Sequence, residues 1–596
     1  MSNRKQCAGW ARLKVGVPLA LGLLVATAMP TWAAPAAIPV TNVACGPNAA
    51  TNLISAIMAA NALAPAPQIL SLNPCNYVLT ASLTDAPDEL YGATGTPVIA
   101  NTIAIRGNGA TISRSATASS SDPFRILTVG PLAQLSIDSV TIKGGIAGCA
   151  GSSATWCSGT PSVDAFGGGI GVVGGNLGVY GATLIGNTAT CGTVTACKSA
   201  AGGAIGAQDD AAGDPSVVLI TDSTLDHNTA SCADTAAADK CKMAAGGAAD
   251  ATNSDLHVLR SQFHDNSASC IDTGTGKKCK DAFGGALDVG KAPDEVTVSD
   301  SEFDHNSVTS DQAAGGGAIT ILKAASTLAN NLIQRNAATS TGTTPGTGGI
   351  GGGLLIEAAQ KFANSITGGT VEQNTAIGGY SGGGGGIAAG ANLSLADVSV
   401  NDNSATGAGL VEGGGVVSTD SLRAVRTHID NNSVSGGESV GGGVAAAGSV
   451  VLENGSVSNN YANGSSEVVG GGLYLAAATA SLVDEQVSWN SVKNPVVAVG
   501  GGIFAESSTV IVQRGRMEGN KATSSTSGEG LGGGVYTAGG RFAALGGTQI
   551  VDNSASGPGA AGGGIYNAGL AEVDPPSAVY GNNPDQCAPA GSVVGC

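Results

Sequence analysis

Three dipeptides hold most of this sequence's capacity for metal or acid–base chemistry. They are Asp226-His227, His264-Asp265 and Asp304-His305, each directly before an asparagine, and they contain three of the five histidines. Imidazole nitrogen and carboxylate oxygen together suit a divalent transition metal. If the three asparagines share one structural column, His227, Asp265 and His305 lie one above another and form the candidate metal set. The alternation also has a plainer use, since it avoids stacking like charges. Asp209, Asp210 and Asp214 are the densest acidic group, but "AQDDAAGD" recurs nowhere nearby and reads as a solvated loop. No residue is assigned a catalytic role.

Two further sets could bind without catalysing. Lys198, Lys240, Lys242, Lys277, Lys278 and Lys280 cluster beside cysteines in an otherwise acidic chain. They form either a cationic ridge for an anionic glycan or solubilising charge on loops. Tyr474, Phe504, Tyr536 and Tyr566 each follow the first apolar residue of a strand-like run. That position should face outward, giving an aromatic stripe for a sugar or a protein partner, or rings that only brace one another.

Something must hold these residues in register, and the sequence says what. Glycine pairs or triplets return at Gly167, Gly202, Gly246, Gly284, Gly315, Gly351, Gly384, Gly413, Gly441, Gly470, Gly500, Gly532 and Gly562. Each is followed by an apolar residue, two further positions and an asparagine. The asparagines are Asn187, Asn228, Asn266, Asn306, Asn336, Asn374, Asn403, Asn432, Asn460, Asn490, Asn520, Asn553 and Asn582. Apolar pairs ten and eight residues before the asparagine, such as Leu256/Val258 and Val510/Val512, alternate with period two and predict strands. Three short strands per unit imply one turn of a parallel β-helix, which buries its apolar face only by stacking on neighbours. The glycines then serve as corners, and the asparagines as a turn position whose amides hydrogen-bond from turn to turn.

The phrases "GGAI" (202–205), "GGAL" (284–287), "FHDN" (263–266) and "FDHN" (303–306) resemble the GGAI and FxxN repeats of polymorphic outer membrane proteins. The resemblance spans 167–582. It implies a right-handed parallel β-helix and a bacterial, surface-exposed adhesin. Members of that family commonly end in a translocating β-barrel. This sequence ends "NNPDQCAPAGSVVGC", so the expectation is a secreted, passenger-like protein.

The expected organisation is a signal peptide over 1–33, an N-terminal cap with a short helix over 34–66, the β-helix over 67–582 and a disulfide cap over 583–596. The signal rests on basic residues at 4, 5, 12 and 14, an apolar run over 15–28 and small residues near 33. The helix rests on the periodicity of "NLISAIMAANAL" after an asparagine able to cap it. The twelve cysteines after residue 33 fall into local pairs. Cys45 goes with Cys75, Cys149 with Cys157, Cys191 with Cys197, Cys232 with Cys241, Cys270 with Cys279, and Cys587 with Cys596. On an exported chain these read as disulfides rather than zinc ligands. A formal charge of −18 argues against nucleic acid as partner. The all-β solenoid is therefore expected to be a secreted monomer that binds an extracellular glycan or cell-surface protein. It needs no cofactor beyond the metal considered above. A polysaccharide lyase, epimerase or hydrolase on the same fold is the alternative.

Overall fold

The computed structural model describes residues 38–83, 92–118, 123–148, 165–191, 197–234, 241–272, 279–293, 295–357, 362–494, 496–525 and 528–596. The expected signal peptide, Lys240, Lys277 and Lys278 lie outside these residues. Every described strand belongs to Val40–Cys596.

A representative turn contains Ser199–Ala201, Ile205–Gln208, Val217–Thr221, Thr224–Asp226 and Thr229–Asp234. The chain then reaches Met243–Ala245, which stacks in parallel on Ser199–Ala201. The turn thus has five strands, where spacing suggested three. Corners at Gly202, Asp222 and His227, all at positive φ, break the extended backbone more often than the apolar pattern does. In later turns two of the strands fuse into one, as in Leu473–Val483 and Ile503–Gln513. The parallel stacks build sheets of 29, 12, 16 and 13 strands, a parallel β-helix.

The glycines at 470–472 show why the corner cannot carry side chains. Gly470 has φ 66°, a region that costs any residue with a Cβ. A Cβ on Gly471 would lie 2.4 Å from the Gly501 carbonyl oxygen and 2.7 Å from the Ser491 carbonyl carbon. The glycine corner therefore presses through the coil against the backbone just past the asparagine. This pinch divides the interior. The larger lobe holds Leu, Ile, Val and Phe side chains, including Phe263 stacked on Phe303 at 4.7 Å. The smaller lobe holds Ala244, Ala268, Ala282 and the cystine sulfurs, followed by Val308 and Ala338.

Disulfides join Cys45–Cys75, Cys191–Cys197, Cys232–Cys241, Cys270–Cys279 and Cys587–Cys596. The sixth expected bridge, between Cys149 and Cys157, is not among them, because Cys149 and Cys157 both lie outside the described residues. Cys191, Cys232 and Cys270 are in register, so three bridges stack in the small lobe. In the next turn Ser310 takes the cysteine's place and its hydroxyl donates to the Lys280 carbonyl at 2.7 Å.

Parallel pairing runs past both expected boundaries. Val40–Val43 already pairs with Gln68–Leu72, and Val593–Val594 stacks on Leu570–Val573. The helix is Ala49–Asn61, covering the first turn with Leu53 and Ile57. It starts earlier than its periodicity suggested. Asn52 lies inside it, and Asn48, at its N-cap, makes no side-chain cap bond. Among the described residues no helix is long and apolar enough to cross a membrane.

Candidate functional site

The asparagine corner is built from hydrogen bonds that leave no amide group idle. Asn266 is fully buried. Its Nδ2 donates to the Leu225 carbonyl and to Asn306 Oδ1, both at 2.9 Å. Its Oδ1 accepts from the Asn228 N–H and the Asn228 Nδ2, both at 3.0 Å. The pattern repeats from Asn187 to Asn553 and ends when Gln586 Oε1 accepts from Asn582. The positive-φ residue is the one before each asparagine, as at His227, Asp265, His305, Arg335 and Trp489, and not the asparagine itself. The asparagine side chain must turn inward to reach the next turn, so its neighbour absorbs the bend.

His227, Asp265 and His305 consequently share one exposed corner position on successive turns. They do not converge as a trio. His227 Nδ1 lies 2.6 Å from Asp226 Oδ1, and these two with Asp265 place ligand atoms within 4.8 Å of one another. His305 turns to Asp304 at 3.0 Å, and Asp304 also takes Arg335 through both guanidinium arms. Side chains at a left-handed corner reach their own preceding residue more readily than a partner two turns away. A metal here would be held by Asp226, His227 and Asp265, a donor set that suits a transition ion.

Lys198, Lys242 and Lys280 are exposed and stacked one turn apart, linked through Lys242 N–H to Lys198 O and Lys280 N–H to Lys242 O. They do not adjoin the histidine corner, because the strand Thr229–Asp234 lies between.

The aromatic column is real and continuous. Tyr474, Phe504, Tyr536 and Tyr566 are register partners. Their rings stack at 5.7, 5.3 and 5.1 Å, with planes within 12° of parallel. Both faces of Phe504 and Tyr536 are thus occupied by neighbouring rings. What reaches outward is ring edge and tyrosine hydroxyl, and a sugar ring cannot slide between them. The column packs against Val440, Val469, Val499 and Leu531 across the glycine corner. Outward residues on both sides of that corner touch, so the outside of the pinch is a groove.

Carboxylates border the groove. Glu438, Glu467 and Glu529 are exposed in one column of the neighbouring sheet. Tyr474 donates its hydroxyl to Glu506 at 2.8 Å. Burial raises the Tyr474 hydroxyl's pKa, and Glu506, Glu412 and Glu467 raise it further. Burial raises that of Glu412 as well. Among the described residues none of these five glutamates pairs with a basic side chain.

Toward the N-terminus the same column contains Gly206, Asp250, Asp288 and Thr320 in register. Asp250 and Asp288 are 5% and 4% exposed and hydrogen-bond to each other. Burial pushes Asp288 up to about 7, while Asp288 Oδ1 meets no partner. The candidate residues read from the sequence do not include this acidic pair on adjacent turns. Its signal was present, since "GGAAD" and "GGALD" put an aspartate at the same place in two consecutive repeats. No family model, no curated protein and no solved structure matches the chain.

Proposed function

We propose that this chain is a secreted, non-catalytic β-helix that binds an extracellular glycan or cell-surface protein along its groove, as an adhesin or scaffold does. The carrying observation is the column Tyr474–Phe504–Tyr536–Tyr566 beside carboxylates that hold no basic side chain. A recognition feature repeated over four turns makes a linear contact surface, where a catalyst needs groups converging on one atom. The stacked disulfides support an oxidising compartment, and the GGAI and FxxN phrases support a place among surface-exposed β-helices. The test is capture of the mature protein on glycan and extracellular-protein arrays, with and without EDTA, beside a Tyr536→Ala/Tyr566→Ala variant. At least a ten-fold loss on substitution is expected. Undiminished capture, or none by any ligand, overturns the proposal.

A second reading, a carbohydrate-active enzyme, is favoured by Asp250 and Asp288. Two buried carboxyl groups sharing a proton can supply an acid and a base to one bond. Release of soluble product from polysaccharides, abolished by Asp288→Asn, would establish this reading in place of the first.

A further inference from the structure

We infer that the groove between the aromatic column and the glutamate column docks an extended, Lys/Arg-rich polypeptide segment. This deepens the binding reading above and rests on it.

The argument starts from charge. The stretches that line the groove, cut at one register, are 409–419, 438–447, 467–476, 497–506, 529–538 and 560–568, and they contain no Lys, Arg or His; the first basic residue beyond them, Arg541, is held by Glu572. They do contain Glu412, Glu438, Glu467, Glu506 and Glu529. At three other places on this molecule an exposed aspartate is neutralised by an arginine of the next turn. Asp222 holds Arg260, Asp397 holds Arg426, and Asp484 holds Arg514. The groove's glutamates are given no such arginine, and the tyrosine beside Glu506 carries the electrostatic consequence. A cationic partner relieves this repulsion, whereas an anionic glycan would add to it.

Shape selects the kind of cation. Because the inner rings cover one another's faces, an amino-sugar polymer cannot stack on them. Lysine and arginine suit the surface better. Their methylene stems can lie on ring edges and on half-buried Val497, which stands between Glu467 and Glu529 in the glutamate column, while the charged heads reach the glutamates. From Glu438 to Glu529 the groove spans three turn spacings, roughly 14 Å at ~4.8 Å each. An extended chain covers that distance with about four to five residues.

The test is fluorescence anisotropy of a labelled octalysine peptide with the full mature chain, with a chitosan oligomer as competitor. One variant is Glu467→Gln/Glu529→Gln in the groove. The control is Asp402→Asn/Asp552→Asn, which removes the same charge from the exposed asparagine corner. The groove variant should weaken peptide binding at least ten-fold and the control less than two-fold. Equal weakening would mean that overall acidity alone attracts the peptide. That outcome, no peptide binding, or preference for chitosan overturns the inference. If peptide binding fails while Tyr536/Tyr566-dependent capture on the arrays persists, the binding reading stands and this inference alone falls.

Discussion

At the scale of single residues, the asparagines and the buried acids contribute to stability in opposite ways. Each asparagine side chain replaces four hydrogen bonds that water would otherwise supply. Asn403→Ala would strip partners from the Asn374 N–H and the Val371 carbonyl at the middle of the stack. A loss of about 2–4 kcal/mol is expected, measured by urea unfolding. The acids cost stability when they ionise. Asp288 is raised by burial from 3.8 to about 7, and Glu485, 4% exposed, from 4.5 to about 8. A raised carboxyl is neutral in the folded state while the unfolded chain has already released its proton. The stability this provides is complete below pH ~4 and is lost as pH rises through the folded values. Melting temperature should therefore fall between about pH 4 and pH 8, and Asp288→Asn and Glu485→Gln should each flatten the slope. An unchanged slope in both variants would exclude these groups as its source. The histidine corner gives a third test. Zinc affinity by calorimetry should drop at least ten-fold in His227→Ala and stay within two-fold in His305→Ala, since only His227 adjoins Asp226 and Asp265.

At the scale of elements, the corner decides what the strands can do. The strands themselves are short and interchangeable. They are placed by glycine on one side of the coil and asparagine on the other, pressed together through the interior. Gly471→Ala should cost more than about 3 kcal/mol or prevent folding, because its Cβ would meet backbone from the next turn, which cannot move aside. Gly390→Ala is the matched control. Its Cβ would find nothing nearer than 3.9 Å, and a change within about 0.5 kcal/mol is expected. The same pinch makes the external groove, so the feature that constrains the core also shapes the surface where a partner would lie.

At the scale of the whole molecule, each turn touches only its neighbours, and stability is close to a sum over turns. Deleting residues 433–460 joins Asn432 to Tyr461 and returns every strand to the register it had. The shortened chain should keep strand-type circular dichroism and one cooperative transition within a few degrees of the parent. Deleting only 433–446 leaves half a turn out of phase and should not fold. Survival of both deletions, or of neither, would contradict nearest-neighbour stacking.

The sequence alone determined what is periodic. Repeated glycines, asparagines and apolar alternations are local and recur at fixed offsets, so they specify the parallel stack, the asparagine column and the outward aromatic position without coordinates. The same locality specified five of the cysteine pairs, while the pairing of Cys149 with Cys157 stays an expectation from spacing. Only the tertiary structure decided what depends on direction and distance between columns. It showed five strands per turn, the bend at the residue before each asparagine, and the separation of the lysines from the histidines. It also showed His305 paired with Asp304, and ring faces closed by their own neighbours. The Asp250–Asp288 pair belongs to both. Its residues were in plain view in two repeats, but their partnership follows from burial on one side of a pinched coil, where two carboxyl groups a turn apart cannot both keep their charge.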